Sequence, residues 1–167
     1  MTVTNNVILT HDEIVHKIKR IAYQIYENNA EEKEIVLAGI ETNGYTLAKK
    51  LKTVLKKISS IEPILCKVTI DKKNPINDIN TSIAQEDYKN KSIILIDDVL
   101  NSGTTLIYGV KHFLNVPLKQ FKTAVLVDRN HKKYPIKADF KGISLSTSLN
   151  ENVTVIFEKN NDRAILE

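Results

Sequence analysis

The run Ser92-Ile93-Ile94-Leu95-Ile96-Asp97-Asp98-Val99-Leu100-Asn101-Ser102-Gly103-Thr104-Thr105-Leu106 constrains this chain more than any other segment. An apolar strand ends in two adjacent carboxylates, and a Ser-Gly-Thr-Thr loop then opens a helix. Such a layout can hold a sugar phosphate. Paired carboxylates accept hydrogen bonds from vicinal ribose hydroxyls, while backbone N–H groups and hydroxyls at a helix N-terminus hold a phosphate. Taken singly the parts are ordinary, since an acid pair is a common strand end and Gly103 a common turn residue. A nucleoside-triphosphate P-loop is a poor rival, because it requires Gly-Lys-Ser/Thr at the helix start and no such tripeptide occurs here.

The rest of the chain alternates between helical and extended periods. Thr10 and Glu13 form a capping-box pattern, and Ile14, Ile18, Ile21, Ala22 and Ile25 then recur on one face, predicting a helix over residues 11–28. Residues 35–40 predict a short apolar strand. A helix follows Gly44 with Leu47, Ala48, Leu51, Val54, Leu55 and Ile58 on its buried face. Residues 61–70 read as extended, with Pro63 placing the strand start near an edge. Beyond a polar stretch at 71–91 come the sugar-phosphate strand and its helix, then a strand at 121–127. A closing hairpin, 152–158 with 164–166, turns at Asn160-Asn161-Asp162. Alternating strands and helices predict an α/β fold with a mostly parallel central sheet and helices on both faces. Active-site residues then gather at the carboxyl ends of the strands.

The strand, acid pair and hydroxyl-rich loop together resemble the ribose-5-phosphate loop of type I phosphoribosyltransferases. Those enzymes bind phosphoribosyl pyrophosphate with Mg²⁺ and exchange its pyrophosphate for a nucleobase. Similarity extends over residues 7–25, 36–51, 92–106 and 124–147, and points to the uracil phosphoribosyltransferases that double as pyrimidine-operon attenuation regulators. The most particular match is Ala124-Val125-Leu126-Val127-Asp128-Arg129-Asn130-His131, continuing through Pro135-Ile136-Lys137-Ala138-Asp139-Phe140 and Gly142. Generic type I enzymes do not share it. The main gap is 69–90.

The resemblance implies the type I phosphoribosyltransferase fold with a small hood, a single domain over 1–167, and a mobile hood loop at 71–91. It assigns Asp97 and Asp98 to the ribose hydroxyls and, directly or through water, to Mg²⁺. Val99, Leu100, Asn101, Ser102, Gly103, Thr104 and Thr105 would bind the ribose phosphate. Thr42 and Asn43 fall in the pyrophosphate loop, and Arg129 and Val153 in the base pocket under a roof formed by residues 127–135. Two departures stand out. The pyrophosphate loop, Ile40-Glu41-Thr42-Asn43-Gly44, carries Glu41 and Asn43 where the family uses basic residues, and a carboxylate repels pyrophosphate by about 1 kcal/mol at a solvated distance of about 4 Å. The hood has Asp71-Lys72-Lys73-Asn74-Pro75 in place of the family's Tyr-Arg-Asp-Asp. Lys72 or Lys73 supplies positive charge there, although a lysine does not reproduce a bidentate arginine.

Two functional classes stay open on these grounds. One is a phosphoribosyltransferase of pyrimidine salvage, acting on phosphoribosyl pyrophosphate and uracil or another 6-oxo base to form a nucleoside monophosphate. The other is a weakly active or inactive nucleotide-sensing regulator. RNA binding is not favoured, since the first helix has Lys19, Tyr23 and Asn28 where RNA-binding relatives have Thr, His and Arg. The net charge of +4 suits phosphate ligands but does not by itself indicate nucleic acid. The lone Cys66 reads as a buried strand residue in a reducing compartment, and the four histidines show no zinc-like spacing. No apolar run approaches the ~20 residues that span a bilayer. A cytoplasmic protein without membrane contact, forming a homodimer or larger homo-oligomer, is expected.

Overall fold

A computed structural model describes residues 6–146 and 151–167; Thr147, the last position of the 124–147 block, lies outside them. The chain opens with β1 (Asn6–Leu9) and α1 (His11–Asn28). Thr10 caps α1 through the predicted box: its hydroxyl accepts the Glu13 N–H at 3.4 Å while Glu13 Oε1 accepts the Thr10 N–H at 3.2 Å. The five predicted face residues, Ile14 to Ile25, are all buried, each large side chain worth about 1.5–3 kcal/mol relative to exposure. Arg20, on the same helix, donates to the carbonyls of Lys141 and Gly142.

The core then follows as β2 (Glu34–Ile40), α2 (Asn43–Ile58), β3 (Glu62–Thr69), β4 (Asn80–Thr81), α3 (Gln85–Tyr88), β5 (Ser92–Leu100), α4 (Thr104–Phe113), β6 (Gln120–Arg129) and β7 (Phe140–Leu145). These strands form a six-stranded sheet in the order β4-β3-β2-β5-β6-β7. Every pairing is parallel except β3 with β4. Helices α1 and α2 pack on one face, where Ile21, Leu47 and Leu51 meet Leu37, Ile94 and Leu126. On the other face, α4 and the turn at Tyr88 cover Val36, Leu95 and Val125. A separate three-stranded sheet, β1-β9-β8, is made from the N-terminal strand and the hairpin of β8 (Val153–Ile156) and β9 (Arg163–Leu166). It packs on the α1–α2 side through Leu9, Val155 and Ala164.

Several expectations need correction. Helix α2 starts at Asn43, so Gly44 lies inside its first turn. The reason is steric: a Cβ at Gly44 would sit 2.5 Å from the Ile96 carbonyl oxygen and 3.0 Å from the Asp97 Cα, so only glycine lets α2 close on the end of β5. Val54 and Ile58 are only partly buried. Strands β1, β4 and β7 were not signalled by periodicity: β1 is completed by β9 at the other end of the chain, whereas β4 is only two residues long and β7 is a short edge strand paired on one side, to β6. The hood stretch 71–91 is not free of structure. Thr81 and Asn80 pair with Val68 and Thr69, and Tyr88 is fully buried with its ring 5.0 Å from that of Phe113.

Candidate active site

The chain runs outward in both directions from the middle of the sheet. Strand β2 is followed by α2 and β3 on one side, and β5 by α4 and β6 on the other, so β2 and β5 flank a topological switch point, where ligands bind at carboxyl ends of strands. There a cleft of about 170 Å³ is lined by Lys72, by the unbroken run from Asp97 to Leu106, and by Val125 and Val153. The run that dominates the sequence thus becomes the wall of one cleft.

Each part of the wall has a local cause. Asp97 is 5% exposed, and its Oδ1 accepts the Asp98 N–H at 2.9 Å. Burial, reinforced by the charge of Asp98 and opposed by Lys72, holds its carboxyl well above the usual range. Asp98 is tied by neutral donors: Oδ1 accepts the Val99 N–H at 2.9 Å, and Oδ2 accepts the Asn43 amide at 3.0 Å. The following loop turns at Gly103, whose φ of +85° belongs to the left-handed region and whose missing Cβ would fall 2.4 Å from Ile136 Cγ2. Ser102 and Thr104 hydroxyls lie 2.8 Å apart. The Ser102 carbonyl accepts the N–H groups of Lys133 and Tyr134, at 2.7 and 3.3 Å. The distinctive block after β6 therefore clasps the loop at the N-terminus of α4, where N–H groups without intrahelical partners favour an anion.

The remaining expected residues fall around this cleft at different removes. Val153, at the start of β8, is on the wall. Arg129 is not; it is buried, and its guanidinium donates to Asn101 Oδ1 at 2.9 Å and to the Glu151 carbonyl, so it meets the cleft through Asn101. Residues 127–135 are likewise absent from the wall. Asn43 touches the acid pair and also donates to the Val155 carbonyl at 2.9 Å, joining α2 to β8 of the three-stranded sheet. Thr42 takes the N-cap position of α2 without a side-chain cap. Glu41 is exposed, and its Oε2 accepts the Thr69 hydroxyl at 3.0 Å. Cys66 is buried, which pushes its thiol up and leaves it unreactive. Leu106 and Val125 are wall residues with no role assigned from the sequence, whereas Lys72 is singled out there, with Lys73, as a source of positive charge.

Comparison with known proteins places this geometry. The family model described as phosphoribosyl transferase domain matches residues 5–158. The chain belongs to this family. It is 33% identical to the bifunctional protein PyrR of Pediococcus pentosaceus, covering 89% of this chain and 90% of that protein. With the bifunctional protein PyrR of Fusobacterium nucleatum it shares 34% identity, over 95% and 94% of the two chains. Among solved structures, the hypoxanthine phosphoribosyltransferase of Trypanosoma cruzi superposes with a TM-score of 0.78 at 15% identity, covering 96% of this chain and 95% of that one. A hypoxanthine-guanine phosphoribosyltransferase from Bacillus anthracis gives 0.70 at 20% identity, over 84% and 82%. These likenesses show the type I phosphoribosyltransferase fold. No described helix is long and apolar enough to cross a membrane.

Mg²⁺ usually binds through one or two carboxylates plus substrate phosphates, keeping several waters. Among the described residues no group of three or more His, Cys, Asp or Glu side chains forms a protein cage. The two adjacent carboxylates of Asp97 and Asp98 have the donor chemistry for an ion shared with a phosphorylated ligand.

Proposed function

We propose that this protein transfers the ribose 5-phosphate of phosphoribosyl pyrophosphate to a nucleobase, with uracil the base that the family resemblance implies. The observation carrying this reading is the gathering of Asp97, Asp98 and the Ser102–Thr105 loop around one cleft at the switch point. In this mechanism Asp97 and Asp98 orient the ribose hydroxyls, and N–H groups and hydroxyls from Ser102 to Thr105 hold the 5-phosphate. Val153 offers an apolar wall to the base, and Arg129 steadies that side through Asn101. As pyrophosphate departs, the ring gains oxocarbenium character, which the nearby carboxylates stabilise before the base nitrogen attacks. Mg²⁺ held by Asp97 and Asp98 would supply charge neutralisation for the leaving group. Positioning and electrostatics carry the acceleration.

A second reading, a nucleotide-sensing regulator with little turnover, is favoured by one observation. The loop after β2 presents Glu41 and Asn43, with Glu41 held against Thr69 and Asn43 bound to Asp98, so no cation of this loop faces the cleft. Steady-state turnover with phosphoribosyl pyrophosphate across uracil, hypoxanthine, guanine and xanthine tests both. Ordinary turnover with one base supports the enzyme. Tight nucleoside monophosphate binding without turnover supports the sensor, and absence of both refutes the site assignment. The same reading puts the protein in the cytoplasm as a homodimer or larger homo-oligomer, with RNA an open but not favoured partner. A monomer in sedimentation at micromolar concentration would reject the oligomer.

A further inference from the structure

Among the described residues, the cleft wall carries two carboxylates and a single cationic side chain, Lys72. Its Nζ lies 3.9 Å from Asp97 Oδ1. The contact is built by the surrounding loop. Asp71 Oδ1 accepts the N–H groups of Lys73 and Asn74, at 3.0 and 3.1 Å, while Oδ2 accepts the Asn77 amide at 3.1 Å. These bonds fold the chain leaving β3 into a tight polar turn that presents Lys72 to the acid pair. The two carboxylates are not equivalent toward it. Both oxygens of Asp98 accept from neutral donors, whereas nearly buried Asp97 accepts one such bond, from the Asp98 N–H on Oδ1, and it is Asp97 that takes the ammonium.

We propose that Lys72 is an exchangeable counter-cation of this site: its ammonium occupies Asp97 until a divalent cation displaces it, so the side chain competes with metal for the acid pair. The inference rests on the reading of Asp97 and Asp98 as metal-holding residues. Two features make the contact exchangeable. The distance is at the outer limit of an ion pair, and the Lys72 side chain is 49% exposed, so water screens it. A lysine ammonium is also a single, flexibly tethered point charge, whereas a divalent ion brings twice the charge to the same oxygen. Displacement leaves the ammonium at the cleft, free to meet a phosphate of the incoming ligand. Metal and phosphorylated ligand then load together, because each removes the other's competitor.

The test is Mn²⁺ binding to the intact, nucleotide-free protein, followed by electron paramagnetic resonance. Lys72→Met is expected to tighten Mn²⁺ binding by about threefold to fivefold, the scale of a partly exposed ion pair. Lys73→Met removes the same charge from the adjacent residue, which forms no ion pair among the described residues, and is expected to leave affinity within error. Adding Asp97→Asn to Lys72→Met should abolish the gain. Equal effects of Lys72→Met and Lys73→Met, no tightening in Lys72→Met, or no Mn²⁺ binding in any variant each overturn the proposal. Nucleoside monophosphate titrations on the same samples report separately on the proposed function.

Discussion

Replacing Asp97 with asparagine is expected to raise stability and weaken ligand binding at once. Burial and the neighbouring Asp98 charge hold the Asp97 carboxyl well above its ordinary value, so the folded protein retains a proton at pH values where the unfolded chain has lost it. Because the folded state binds more protons, stability falls as pH rises from the unfolded pKa toward the folded one. Beyond the folded pKa the charge stands at its full desolvation cost. Asp97→Asn keeps the shape and an acceptor for the Asp98 N–H, now bound at 2.9 Å, and cannot ionise. It gives up only a 3.9 Å contact with a half-exposed lysine. Tm at neutral pH should therefore rise, and its decline from acid to neutral pH should flatten. Nucleoside monophosphate affinity should drop about tenfold to 150-fold, the loss of one hydrogen bond to a charged acceptor at about 1.5–3 kcal/mol. Scanning calorimetry across pH reads the first effect and isothermal titration the second. A lower Tm at neutral pH would refute the burial argument, and unchanged affinity would refute the ribose assignment.

Three further outcomes are expected. Gly103→Ala places a methyl 2.4 Å from Ile136 Cγ2 at a φ of +85°, and the left-handed strain alone costs about 1–2 kcal/mol; denaturant titration should show at least that loss, and calorimetry weaker phosphate-ligand binding. Glu41→Lys exchanges an exposed carboxylate whose observed side-chain partner is the Thr69 hydroxyl for a cation beside the leaving-group site, and should raise kcat/KM about tenfold, equivalent to about 1.4 kcal/mol; no gain would show that this loop does not limit catalysis. Thr10→Ala removes one half of the α1 capping box and should lower unfolding free energy by about 1 kcal/mol, without effect on ligand affinity.

Much of the site could be read from residue order, because it is local. Strand, acid pair, glycine turn and helix start occupy one continuous run, and the cleft wall uses all of it from Asp97 to Leu106. The buried faces of α1 and α2 were likewise legible, since a helix of fixed period displays its own apolar stripe. What escaped the sequence depends on partners far along the chain. Strand β1 exists because Asn6, Val7 and Leu9 pair with Leu166, Ile165 and Ala164. Tyr88, in a polar segment, is buried because Phe113 lies beside it.

By itself the sequence determined the alternation of strands and helices, the family, and the identity of the acid pair and its hydroxyl-rich loop, all carried by local period and contiguous chemistry. Tertiary structure alone decided how those groups are charged and restrained. It buried Asp97, brought Lys72 to it from the loop after β3, one strand removed, and gave Asp98 to Asn43. It also set residues 133 and 134 against the Ser102 carbonyl and left Arg129 to act through Asn101. Burial, and contacts between residues tens of positions apart, are properties of the packed sheet and its switch point, and no local pattern encodes them.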